Sequence, residues 1–307
     1  MAIGTSNLSF ALGTPGTQWT MVDVQDMILN LSPKDTPFFE MTGVGSAQSI
    51  RHEWQVEALE ARGLNAALEG ADFTFINMGT PSREFNIAQI VNHGCEVSGS
   101  AEAQPYYGAR SAIKKELAKR MAEHRNALEH NLIRATLTTG GSTAARRMDG
   151  LLAAANLATS GGLASLTEAG FLSIAETLWQ NGSEPNTVLT NSKVKNDINA
   201  FTGVGSTKYI ETQIREVITQ VLTYSSDYGT INIYLCRDMT GGAVNASIGQ
   251  EFAMFDKTLL RKDYLRPSFV KRYPEGIVDG HRVSLTTELT LYYGNGSSIY
   301  WWRGAAD

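Results

Sequence analysis

Cysteine is almost missing from this chain: Cys95 and Cys236 are its only two in 307 residues, and they stand far apart. That excludes a disulfide scaffold and points to a reducing compartment. No stretch approaches eighteen consecutive apolar residues, so no membrane-spanning helix is expected. The first twenty residues, MAIGTSNLSFALGTPGTQWT, lack the basic start and apolar centre of a secretory signal. An excess of positive charge is missing too. Lys and Arg number 26 against 31 Asp and Glu, a net charge of −5. That speaks against a protein whose main task is to coat phosphates.

Catalytic signatures are equally scarce. There is no His-Glu-x-x-His, no Cys-x-x-Cys and no Gly-x-Ser-x-Gly nucleophile elbow. The five histidines are His52, His93, His124, His130 and His281, and none has metal-ligand spacing to another. Gly203 to Lys208 (GVGSTK) has a phosphate-loop flavour, but Ser206 and Thr207 precede the lysine instead of following it. It reads as a surface loop. The expectation is a protein without enzymatic activity, cofactor or metal.

What the chain does have is a long helix-forming stretch from Ser111 to Thr138, with no Gly or Pro and rich in Ala, Leu, Lys, Glu and Arg. At 1.5 Å per residue it would run about 42 Å. Ile113, Leu117, Met121, Leu128, Leu132 and Leu137 form a narrow apolar stripe. Glu116 and Arg120 are spaced for an i,i+4 ion pair. A helix of this kind fits a spine across a sheet or one member of a bundle, and its surroundings favour the spine.

Before the helix lies a turn-rich arm (residues 1–20), a short helix expected at 23–31, a rigid turn framed by Pro33 and Pro37, and an apolar plug, Phe38-Phe39. Strands are expected at 49–57, 70–78 and 83–97, the last with a bulge or two-faced burial. After it come a helix at 167–181 ending on Asn181-Gly182, a buried strand at 187–190, a helix capped by Asn191, and strands at 229–235, 251–255, 283–293 and 299–302.

Candidate contact residues follow from size and charge. Phe38, Phe39, Trp54 and Trp301 are large enough to be buried anchors, either in the local core or against another subunit. Residues 45–95 hold six acids (Glu53, Glu57, Glu60, Glu69, Asp72, Glu84) against Arg51, Arg62 and Arg83. Residues 261–273 hold Arg261, Lys262, Arg266, Lys271 and Arg272 against Asp263. These are two solvated surfaces, or a complementary pair of patches between neighbouring copies. Gly43, Gly45 and Gly99 are expected to act as joints.

The ordered blocks LSPKDTPFFE (31–40), IRHEWQVEAL (50–59), ALEGADFTF (67–75), VSGSAEA (97–103), ARRMDGLLA (145–153), LWQNGSEPNTVLTNSKVKNDINAFTG (178–203), YSSDYGTINIYLCRDM (224–239) and FAMFDKTLLRKDYLRP (252–267) resemble major capsid proteins of tailed phages with the Hong Kong 97 fold. The resemblance implies an α+β fold. It places an N-arm at 1–44, an extended β-hairpin loop at 45–97, a peripheral domain at 98–165 and 261–307 with spine helix 111–138, and an axial α/β domain at 166–260. It also implies self-assembly into pentamers and hexamers of an icosahedral virion shell. The implied partners are a portal, a scaffold or decoration proteins, and weak, non-specific contact with packaged double-stranded DNA, with no membrane. Assembly would take place in the host cytoplasm. A bacterial nanocompartment shell shares the fold; an α/β enzyme is the reading from another class. Two departures stand out. No lysine lies between Lys34 and Lys114, so a lysine-linked chainmail on the extended loop is not expected. Only about forty residues precede that loop, which implies a separate scaffold protein or none.

Overall fold

The computed structural model describes residues 35–59, 63–64, 66–72, 75, 79–104, 111–162, 166–201, 223–239, 249–274 and 279–304. The short helix expected at 23–31 and the loop at 203–208 lie outside them. Among the described residues no helix is long and apolar enough to cross a membrane.

Two sheets carry the fold. The first has four strands: β1 (Gly43–Ser46), β4 (Gln89–Ser98), β10 (Arg261–Tyr273) and β11 (Gly280–Tyr292), in the order β1-β10-β11-β4. A two-stranded ribbon, β2 (Arg51–Val56) and β3 (Ser82–Ile87), leaves this sheet between β1 and β4. The second sheet has six strands in the order β5-β12-β9-β6-β8-β7. These are β5 (Leu157–Gly162), β6 (Thr187–Thr190), β7 (Thr223–Ser226), β8 (Gly229–Leu235), β9 (Glu251–Phe255) and β12 (Ile299–Gly304). Short helices α1 (Pro37–Met41), α2 (Gly99–Ala103) and α4 (Leu151–Ala154) accompany the spine α3 (Ala112–Arg134), while α5 (Glu168–Gln180) and α6 (Ser192–Asn199) cover one face of the second sheet.

The spine is shorter than its composition predicts, 23 residues instead of 28. It starts where expected, with the Ser111 hydroxyl accepting from the Lys114 N–H. It stops at Arg134 because tertiary bonds capture the backbone beyond. The Ala135 carbonyl accepts from Gly150 N–H, and Thr138 forms a bridge with Arg147. A Cβ on Gly150 would sit 2.9 Å from the Ile133 carbonyl, so this approach requires glycine. The buried face is also narrower than the apolar stripe. His124, Leu128, Glu129, Leu132 and Ile133 are buried, whereas Met121 and Leu137 are exposed. Arg120 pairs with Glu123 at 2.6 Å, three residues on.

The run expected as one strand at 83–97 is two strands broken at Ala88. β3 pairs with β2 and β4 with β11. Ala88 is fully buried, its N–H donating to Ile50 and its carbonyl accepting from Arg146 Nε. The chain thus switches partners at a residue too small to obstruct either sheet. The strand expected at 70–78 does not form among the described residues there, Gly70, Ala71, Asp72 and Phe75.

The second half follows the pattern read from the sequence. Thr167 caps α5, Gly182 at φ +82° ends it, and Asn191 caps α6. The strand at 187–190 is buried throughout, with the Val188 and Leu189 side chains on opposite faces of the sheet. β5 and β12, assigned by resemblance to the peripheral part, pair with each other and β12 pairs with β9, so both belong to the six-stranded sheet. Trp302, in β12, stacks on buried Phe252 at 5.3 Å.

Candidate assembly surfaces

The N-terminal described segment is buckled onto the spine from three directions. Phe38 is fully buried and meets Phe255 edge to face at 5.9 Å. The N–H groups of Phe38 and Phe39 donate to the two Glu129 carboxylate oxygens at 2.9 and 2.5 Å. At the other end of α1, Lys262 Nζ donates to the carbonyls of Phe39 and Thr42 and lies 4.2 Å from the Phe39 ring centroid. Arg125 reaches Thr36 and Glu40. Burial pushes the Glu129 carboxyl up to about 7 against the pull of those two N–H groups.

The ribbon is pinned where it leaves the sheet. Trp54 packs against Tyr292 and Tyr293, each at 4.9 Å, and its Nε1–H donates to the Gly294 carbonyl at 2.5 Å. Asn86, fully buried, donates to Asp149 and Leu291 carbonyls and accepts from the N–H groups of Ile87 and Asp149. His52 Nε2 lies 3.0 Å from Asp263, which Arg261 grips with two bonds. Gly45 faces this cluster in β1, where a Cβ would fall 2.0 Å from Asp263 Oδ1. Gly45 is therefore demanded by close packing and not by hinge motion. Gly99 is likewise crowded by Asp279, and neither has positive φ.

The candidate contact residues separate into two groups. Phe38 and Lys262 are buried within their own chain, and Trp54, Arg261 and Arg266 are held there by Gly294, Asp263 and Glu288. The spacing of like charges in 261–266 gave no sign that β11 and α1 supply their partners. Phe39 is half-buried under Lys262, and Trp301 is half-buried beside Ala253 with Nε1 lacking a partner among the described residues. The second group faces outward. Arg51 and Arg83 flank Glu53 on the ribbon, and Glu57 and Glu69 lie exposed beyond it. Lys271 and Arg272 are exposed at the far end of β10.

The ribbon ends at the Val56–Ser82 pair, and the described residues from Glu57 to Thr80 beyond it are all exposed. Leu59, Leu64, Leu68 and Phe75 are 96, 98, 85 and 91% exposed. Hydrophobic residues concentrated at such exposure mark a surface that another molecule covers. Sequence reasoning missed Asn86 and Glu129, which organise both attachments. Glu129 was readable in retrospect as a carboxylate inside the buried stretch of α3, one position from Leu128. Glu129, Cys236 and Asp238 also bring ligand-type atoms within 4.8 Å of one another. Glu129 is engaged by α1, and burial pushes the Cys236 thiol up to about 12.

Comparison with known proteins gives the same direction from three sides. The family model for SU10 major capsid protein matches residues 5–306. The major capsid protein of Escherichia phage Phieco32 is 34% identical over 104 residues, covering 34% of this chain and 30% of that relative. The chain therefore matches less than a third of that protein's length. Among solved structures, the capsid of a native GTA particle aligns with TM-score 0.67 at 14% identity, covering 97% of this chain and 100% of that one. The capsid of cyanophage A-1(L) aligns with TM-score 0.66 at 14% identity, covering 95% and 99%. That of cyanophage P-SCSP1u gives 0.60 at 13% over the whole of both chains.

Proposed function

We propose, from the premise that this chain belongs to the SU10 major capsid protein family, that its copies close into the pentamers and hexamers of an icosahedral phage head around double-stranded DNA. The family is one of structural capsid proteins, and the fold is that of phage capsids, the Hong Kong 97 type. The observation that carries the assembly reading is the exposure of four large apolar side chains beyond the ribbon, Leu59, Leu64, Leu68 and Phe75. A neighbouring copy supplies their cover, with obligate interfaces of this kind commonly exceeding ~2,000 Å² per pair.

In this reading residues 1–44 form an arm, 45–97 the loop reaching over a neighbour, and 98–156 with 261–298 the peripheral domain. The six-stranded sheet with α5 and α6 forms the axial domain around the symmetry axes. The shell resides in the virion and is built in the host cytoplasm, joined to a portal and, where present, scaffold or decoration proteins. With net charge −5, contact with packaged DNA is weak and non-specific. Negative-stain electron microscopy of the purified protein, alone and with its head partners, tests this. Closed angular shells are expected; a monodisperse monomer at every salt and concentration, with or without partners, would overturn it.

A further inference from the structure

The spine is seated unevenly on its sheet. Leu128, Leu132 and Ile133 are buried in its C-terminal half, whereas no residue of α3 from Ile113 to Glu123 is buried. Among the described residues, a cavity of about 670 Å³ lies beside that half, lined in part by Ile113, Leu117, Tyr273 and Val283. His124, 3% exposed, is therefore the first buried side chain after the loosely seated stretch.

His124 also stands in a hydrogen-bonded row that crosses four elements. Its Nδ1 lies 3.1 Å from Nδ1 of half-buried His93 on β4, with the two rings nearly perpendicular. Its Nε2 lies 2.7 Å from Oγ1 of buried Thr287 on β11, which in turn lies 2.7 Å from Ser268 Oγ on β10. Only one proton fits between the two Nδ1 atoms. With both rings neutral, one Nδ1 donates and the other accepts. A further proton on His93 leaves that bond intact and makes its donor a cation. One more, on His124, sets N–H against N–H and two like charges in contact. Nothing nearby offsets that repulsion. Along α3, Glu123 pairs with Arg120, and Arg125 with Glu40. Along β4 the next titratable group is Cys95, whose charged neighbours are Glu116 and Arg120. On β11, Glu288 is held by Arg146 and Arg266, and on β10 Ser268 stands between Pro267 and Phe269. His93 is the one charged group that acts on His124.

We propose that His93 and His124 form an acid-operated latch, which holds the spine on β4 while the pair carries one extra proton and frees the spine's N-terminal half, residues 112–123, when it takes up a second. This stands on the single chain and does not need the assembly reading. The C-terminal half keeps its seat, because Leu128, Leu132 and Ile133 hold it by apolar burial and Gln89 Nε2 donates to Asn131 at 3.0 Å. Burial and the neighbouring ring hold His124 down to about 4, so the latch opens in acid and stays shut at neutral pH.

Hydrogen exchange on the full chain, corrected for the intrinsic rate at each pH, reads the opening directly. Amides of 116–123 should lose about tenfold or more of their protection as pH falls through about 4, while those of 128–134 and of β6 keep theirs. His93→Gln places an uncharged amide opposite His124, and its oxygen can accept from the protonated Nδ1. In that variant 116–123 should stay protected at the pH where the parent opens. His124→Gln carries the same expectation and serves where His93→Gln does not fold. Protection of 116–123 that persists in the parent until the whole chain unfolds would overturn the latch, as would a variant whose pH profile matches the parent's. Should neither variant fold, the parent profile alone decides.

Discussion

Glu129 and His124 lie on the buried stretch of α3 and titrate in opposite directions. Burial holds the Glu129 carboxyl near 7 instead of 4.5. Burial, aided by His93 with its Nδ1 3.1 Å away, drops His124 to about 4 from 6.5. Glu129 keeps in the folded state a proton that the unfolded chain releases. Its stabilisation is full below pH 4.5 and lost as pH rises to about 7. His124 gives up a proton that the unfolded chain keeps. Its stabilisation is full above pH 6.5 and lost as pH falls to about 4. Each effect is on the order of 3 kcal/mol, so between pH 4.5 and 6.5 they oppose and nearly cancel. Urea unfolding of the unassembled subunit should therefore vary little with pH across that window. Glu129→Gln should become more stable as pH rises through it, and His124→Gln less stable. Parallel slopes in the two variants would contradict the assignment.

At the same scale, Trp54→Phe should cost about 1–2 kcal/mol, because the Gly294 carbonyl loses its donor. Trp54→Ala should cost about 3 kcal/mol through the lost aromatic contacts. Denaturant midpoints measure both. Equal losses in the two variants would mean that the hydrogen bond outweighs the aromatic packing.

At the scale of elements, the ribbon and the segment beyond it do separate jobs. β2 and β3 belong to the subunit core through Trp54, Asn86 and Ala88, whereas residues 57–81 extend past the last strand pair. Replacing 57–81 with a two-residue Asn-Gly turn across Val56 and Ser82 should leave thermal unfolding within a few degrees of the parent and abolish closed shells. Electron microscopy and calorimetry on one preparation check both halves. A cut at 50–90 would instead remove Asn86 and Ala88 and unfold the sheet.

The elements most legible in the sequence were those whose partners are near in the chain or whose ends carry caps. α5, α6, β6, β8 and β9 appear within a residue or two of expectation because Thr167, Asn191 and Gly182 mark their ends chemically. The end of α3 was not legible: Ala135 is a good helix former, and the bonds of Gly150 that halt it come from fifteen residues away. The partners of two candidate contact residues were hidden for a similar reason. Lys262 and Arg266 looked like free surface cations because their partners, α1 and Glu288, are distant in sequence and adjacent only once β10 and β11 pair. Glu57, Glu69, Lys271 and Arg272, read as solvated surface or as patches facing a neighbouring copy, are exposed in the single chain.

At the scale of the whole molecule, the two sheets close their cores within one chain, whereas the described residues from Glu57 to Thr80 stay exposed. The lysine-free span between Lys34 and Lys114 denies that segment the amine of a lysine isopeptide link. Boiled shells should therefore run on denaturing gels as one 33.4 kDa band and not as a ladder. Assembly held by apolar contact and charge should also weaken when Lys271 and Arg272 are both reversed to Glu, most sharply at low salt. Light scattering during assembly would record it, and unchanged kinetics would remove charge from the account.

The most direct test is a cryo-electron microscopy reconstruction of the assembled particle, read at Leu59, Leu64, Leu68 and Phe75. The account predicts that all four side chains are buried against a neighbouring subunit. A closed shell in which they remain in solvent, or fold back onto their own subunit, would contradict it.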